Sequence, residues 1–141
     1  MLTLTLINIA IVALSVLLHY EVLLALSKKL PYLHYKNKYQ IVIGVFGALI
    51  AHCIEIWIFA TTYYFLLKTD KFGVLEGNFD GSLLDCAYYS FTSYTTLGFG
   101  DIAPHGAIRF VTGIESLTGL VLITWTASFL FLEMQRYWNK N

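Results

Sequence analysis

Three apolar stretches, over about residues 2–27, 40–67 and 107–134, each exceed the roughly 20 residues that a helix needs to cross a bilayer. They leave little else in a chain of 141 residues, so the fold class expected is an all-α membrane protein with three transmembrane helices. Composition agrees. Charged residues make up 13% and hydrophobic residues 57%, whereas a soluble domain carries about 25% charged residues. At about 1.5 Å per residue the second and third stretches reach roughly 40 Å, which calls for tilt or extension beyond the hydrocarbon. The first stretch lacks a basic lead-in and outruns a signal-peptide core, so it is read as a retained transmembrane helix. Formal net charge is zero and no basic patch occurs, which excludes nucleic acid as a partner.

Loop charge sets the orientation. Lys28, Lys29, Lys36 and Lys38 separate the first two stretches, and Arg136 and Lys140 follow the third. Asp70, Glu76, Asp80, Asp85 and Asp101 outnumber Lys68 and Lys71 in the connection between the second and third. Positive loops stay cytoplasmic, so the N-terminus is expected outside and the C-terminus inside a cell (plasma) membrane crossed several times.

That acidic connection carries Thr95-Thr96-Leu97-Gly98-Phe99-Gly100-Asp101, between a semi-polar segment over 82–94 and the third apolar stretch. Aiming successive carbonyls at one axis needs backbone of alternating hand, and Gly98 and Gly100 accept positive φ without a Cβ clash. Such carbonyls replace the hydration shell of a cation, and the Thr96 hydroxyl offers a further ligand. The motif resembles the potassium-channel selectivity filter, usually T-V-G-Y-G-D. The resemblance covers about residues 39–138 and follows the order of the two-transmembrane, one-pore-loop potassium channels.

The resemblance implies a division of the chain. An extra N-terminal helix (1–27) and a basic cytoplasmic loop (28–38) precede a pore domain (39–135), and a short cytoplasmic tail (136–141) follows. The pore domain comprises an outer helix (40–67), a turret (68–82), a re-entrant pore helix (83–95), the filter (96–101) and an inner helix (107–134). Thr96, Leu97, Gly98, Phe99 and Gly100 are then the ion-binding residues, with K+ as permeant ion and neither a cofactor nor another metal. Tyr88, Tyr89, Thr92, Thr95, Asp101 and Glu115 are expected to support the filter, and Gly119 to act as the gating hinge. The pore-helix C-terminus would face the ion with the negative end of its dipole. Three departures stand out: Phe99 replaces tyrosine, Leu97 replaces valine, and Thr92 stands where some members carry a glutamate. One loop supplies one carbonyl per layer, so a four-fold symmetric homotetramer in lipid is implied. The function expected is potassium-selective conduction, not enzymatic. A weakly selective cation channel and a subunit needing a gating partner are the alternatives.

Ionisable residues within the stretches each cost a few kcal/mol unless paired. They are His19 and Glu21, His52 and Glu55, and Glu115. His52 and Glu55 share a helical face and suit either a zinc or proton site or a buried hydrogen-bond network. The network is preferred, because the spacing offers no convincing third ligand. Glu115 is expected at the hydroxyls of Ser90, Thr92 or Ser93, and Thr118, Leu122 and Thr126 near the cavity. Tyr32, Tyr35, Tyr39, Tyr137 and Trp138 fit a cytoplasmic interfacial belt. Cys53 and Cys86 lack metal spacing and are read as packing residues without a disulfide. The first helix has no arginine or lysine repeat, so it is no voltage sensor of the arginine-rich kind; it is expected to pack peripherally against the second span of its own or a neighbouring subunit. The gating stimulus stays open among constitutive opening, tension or lipid, pH through His19 or His52, and a separate protein.

Overall fold

The structure is a computed structural model and describes residues 2–32 and 37–138. Tyr35, Lys36 and Lys140, named above, lie outside the described residues, as do the side chains of Lys38, Tyr137 and Trp138. Helix α1 (Leu2–Lys29) ends in a single 3-10 turn (Leu30–Tyr32). Then come α2 (Asn37–Leu67), strand β1 (Val74–Gly77), the short helix α3 (Leu83–Tyr94), β2 (Ile102–His105) and α4 (Ile108–Trp138). Three spans, Leu2–Tyr32, Tyr39–Leu67 and Ile108–Arg136, are long and apolar enough to cross a membrane. The chain is a mostly helical membrane protein.

Helix α1 does not pack only at the periphery of α2. It lies against both α2 and α4 of the same chain, and Leu4 enters the main core beside Ile56, Phe59 and Tyr63. Its buried residues are Leu4, Asn8, Ser15, His19 and Leu23, spaced so that they fall on one face. Three of the five are polar, so the helix presents its polar stripe inward and its apolar surface outward. That is the reverse of a helix in water, and it suits a lipid surround.

The two strands pair antiparallel, with Val74 opposite His105 and Gly77 opposite Ile102. An all-helical reading misses this sheet. Pro104 within β2 is tolerated because a two-stranded sheet leaves each strand a free edge. The pairing fixes a topological fact: residues 78–101 leave the sheet and return to the same place.

Helix α3 starts on a built cap. Ser82 Oγ accepts from Asp85 N at 3.0 Å, Asp85 Oδ2 accepts from Asp80 N at 2.8 Å, and Asp80 Oδ1 accepts from Ser82 N at 2.7 Å. These bonds, those of Ser82 foremost, hold the Asp80 carboxyl below its ordinary pKa. The far end of α3 reaches deep. Tyr94 meets Glu55 on α2 and Gly119 on α4, both about 17 Å along their helices from the end nearest the sheet. That is about half of a 30 Å hydrocarbon layer.

Candidate functional site

The loop after α3 has alternating hand. Thr96, Gly98 and Gly100 have φ of 59°, 51° and 80°, and no other residue over 95–101 has positive φ. A β-branched residue at such a φ is a true outlier, costing on the order of 1–3 kcal/mol, and strain of this kind gathers at functional sites. The loop is tied to the end of α3: Thr96 N donates to Ser93 O and Gly98 N to Thr92 O, each at 3.0 Å. A Cβ at Gly98 or Gly100 would meet nothing within 4 Å, so their φ values alone call for glycine. The Leu97 and Phe99 side chains are 60% and 65% exposed in the single chain.

Two sets of buried polar contacts hold α3 in place. The first centres on Glu115 of α4, fully buried. Ser90 Oγ donates to one of its carboxylate oxygens and Tyr63 OH to the other, the latter at 2.6 Å. Of the three hydroxyls expected there, the structure selects Ser90. Thr92 turns its hydroxyl to Tyr89 O at 2.9 Å, and Ser93 offers its carbonyl to Ser116 Oγ at 2.9 Å. Tyr63 was not foreseen. Its position four residues after Phe59 on one face of α2 is the only sequence signal. Tyr89 meets Thr112 Oγ1 at 2.8 Å, and Thr95 Oγ1 donates to Phe91 O at 2.7 Å. Nearer the sheet, Tyr88 OH donates to Asp101 Oδ2 at 2.8 Å, a bond that raises the Tyr88 pKa.

The second set joins all four helices. Glu55 Oε1 faces His19 Nδ1 at 2.9 Å, and Oε2 faces His52 Nδ1 at 3.0 Å. Tyr94 OH donates to Oε2 as well. The Nε2 atoms of His52 and His19 lie 3.0 and 3.3 Å from Thr126 Oγ1. The network reading is therefore upheld as geometry, but its premise changes, because His19 supplies the third ligand-type side chain that spacing alone did not show. Glu21, two residues on and so near the opposite face of α1, is exposed. Thr126 and Leu122 are buried against the chain's own helices, as is Thr118, which removes them from the exposed surface expected of cavity residues. Cys86 is buried and Cys53 exposed; both are free thiols, so packing describes only the first.

Gly119 has a structural role beside its expected hinge function. A Cβ there would collide with the Tyr94 carbonyl and lie 2.9 Å from the Tyr94 ring carbon Cγ. The helices α3 and α4 touch through backbone at this point.

These features define a class: a three-span helical membrane protein whose paired-strand neck carries a short inserted helix and a loop of alternating hand. Residues 51–136 match the family described as Ion channel, a two-transmembrane, potassium-channel-like family. The chain belongs to the ion channel family. The match starts within α2 and leaves α1 outside it. No curated protein and no solved structure matches the chain.

Proposed function

We propose that the chain is a subunit of a potassium-selective channel in which Thr96, Leu97, Gly98, Phe99 and Gly100 coordinate dehydrated K+ through backbone carbonyls. The observation that carries this reading is the strict alternation of φ at Thr96, Gly98 and Gly100. Alternating hand turns successive carbonyls to one side, the requirement for replacing a hydration shell. The α3 C-terminus adjoins this loop, and its carbonyl end favours a cation. The return of residues 78–101 to the paired strands supports a re-entrant loop, which is tolerated at membrane depth when wrapped by protein.

Four copies around one axis complete the rings of carbonyls, and the exposed Leu97 and Phe99 side chains are then covered by neighbours. Asp101, held by Tyr88, lies at the outer mouth. The basic 28–38 loop faces the cytoplasm of a cell-membrane channel. Such a protein transports and does not catalyse.

The weakly selective alternative keeps one specific support. Phe99 has no hydroxyl to tether it, and its side chain is largely exposed in the chain itself. The deciding experiment is the reversal potential of purified protein in planar bilayers under a potassium/sodium gradient. Reversal near the potassium equilibrium potential is expected. Reversal near zero refutes selectivity, and an oligomer mass other than four chains refutes the assembly.

A further inference from the structure

His19, His52 and Glu55 place one ligand atom each within 4.8 Å of one another, and the site has little solvent access. His19 and Glu55 are fully buried, and His52 has a side chain 12% exposed. The two imidazoles approach one carboxylate through Nδ1 and one hydroxyl through Nε2. Four ring-nitrogen contacts therefore need four protons between the partners. Two neutral imidazoles supply two and the Thr126 hydroxyl one, while the Tyr94 proton is already directed at Glu55. With neutral imidazoles the set is therefore one proton short of filling all four contacts.

A metal ion on the two Nδ1 atoms removes the need for protons there, so the two imidazole protons suffice for the outer contacts. Both imidazoles then carry their proton on Nε2 and donate to Thr126 Oγ1, whose two lone pairs accept both. Both Nδ1 lone pairs then face the Glu55 carboxylate, that of His19 toward Oε1 and that of His52 toward Oε2. Histidine ligands are held in this way, with the non-ligating ring N–H on an outer partner that fixes tautomer and orientation. Zinc bonds of about 2.0–2.2 Å put tetrahedral donors roughly 3.4 Å apart, so each ring need close by less than about 1 Å. Two histidines and a glutamate form a complete three-residue zinc set with one position open. Tyr94 OH, 3.0 Å from His52 Nδ1, is the nearest candidate for that position. Tyr94 is also the last residue of α3, where the negative end of the helix dipole offsets cationic charge. An apolar cavity of about 430 Å³, reaching His52, Tyr94 and Thr126, gives an approach to the cluster.

We propose that His19, His52 and Glu55 bind one Zn2+-class divalent ion per chain, clamping α1 to α2 and, through Tyr94 and Thr126, to the inserted helix and α4. The ligand is separate from the conducted ion, and the site does not depend on the filter reading.

The test is calorimetric titration of chelator-stripped, full-length protein in nanodiscs with Zn2+, alongside Co2+ absorption spectroscopy. One Zn2+ per chain, visible d–d bands of a tetrahedral nitrogen/oxygen Co2+ site, and a Zn2+-dependent rise in unfolding temperature are expected. His19→Gln abolishes all three. Thr126→Val, which keeps the ligands and removes their orienting oxygen, weakens Zn2+ binding about 10- to 100-fold. His105→Gln leaves binding intact, since that residue belongs only to the exposed pair with Glu76 at 3.5 Å. Absence of Zn2+ binding by the wild-type protein overturns the proposal, which needs no variant to fold. Full-affinity binding by a folded His19→Gln protein overturns it too. Conduction enters none of these readouts, so failure here is distinct from failure of the channel reading.

Discussion

Gly119→Ala separates two roles that one glycine can serve. As a hinge alone, Gly119 contributes flexibility, and alanine should favour a straighter helix by about 1 kcal/mol of intrinsic propensity. The structure gives the opposite sign. The new methyl group would overlap the Tyr94 backbone carbonyl and press on its ring. Tyr94 has nowhere to retreat: it is fully buried, its hydroxyl is bound to Glu55, and Ser90 and Tyr89 anchor the preceding turn of α3 to α4. Overpacking a rigid contact costs about 1–3 kcal/mol, and because a backbone carbonyl is the least yielding neighbour the upper part of that range, about 2–3 kcal/mol, applies. Subtracting the propensity gain leaves a net loss of roughly 1–2 kcal/mol per chain, or about a 5- to 30-fold drop in the folded ratio. Thermal and denaturant unfolding in detergent, compared with the wild type, reads this directly. An alanine variant as stable as the parent, or more so, with only its open probability changed, would refute the close-approach argument and leave the hinge.

Tyr63→Phe removes one of two donors from the buried Glu115 carboxylate and is expected to cost about 1.5–3 kcal/mol, as seen by unfolding. Glu115→Gln should lower the yield of folded protein or shift the reversal potential; unchanged expression and unchanged reversal potential would count against its supporting role. Tyr88→Phe breaks an exposed bond to Asp101, so stability should move little while the steady-state current under sustained recording changes; identical current records would deny the bond a role at the mouth. Gly98→Ala meets no neighbour in the chain but must hold φ at 51°, a cost of about 1–2 kcal/mol. Folded protein with potassium flux abolished is expected, and wild-type flux would falsify the carbonyl-aiming argument.

The sequence carries some of this architecture openly and hides the rest for physical reasons. The three spans are legible because lipid demands about 20 apolar residues in a row, and the structure moves their ends by only a few residues: α1 closes at Lys29 and α4 opens at Ile108. Positive φ at Gly98 and Gly100 is legible because glycine is the residue that accepts it; the same φ at Thr96 is not, since threonine gives no such signal. Strands of four residues are too short for a period-two pattern to register, and Pro104 argues against one of them. The inward face of α1 escapes hydropathy because α1 and α4 are apolar on most sides, and the informative residues are the few polar ones. His52 and Glu55 are paired by helical spacing, whereas His19 and Thr126 join them across 36 and 74 positions of sequence, which periodicity within one helix cannot reveal.

The inserted helix is held from three directions, and the three are not equivalent. At its start, the β1–β2 pairing and the Ser82 cap fix where α3 begins. Along its flank, Ser90 reaches the buried Glu115. At its end, Tyr94 reaches the buried Glu55. The first tie uses backbone and exposed groups. The other two each bury a carboxylate, which is costly at membrane depth unless every oxygen is satisfied. Glu115 finds its donors in Tyr63 of α2 and Ser90 of α3, both within the family match. Glu55 also relies on His19, and so on a helix outside that match. Helix α1 therefore supplies more than lipid-facing surface. It completes the partners of the carboxylate that fixes the deep end of α3, one residue before the segment whose backbone alternates in hand. Tyr94 is thus a side chain that links the His19-bound carboxylate to the end of α3, next to Thr95 and Thr96.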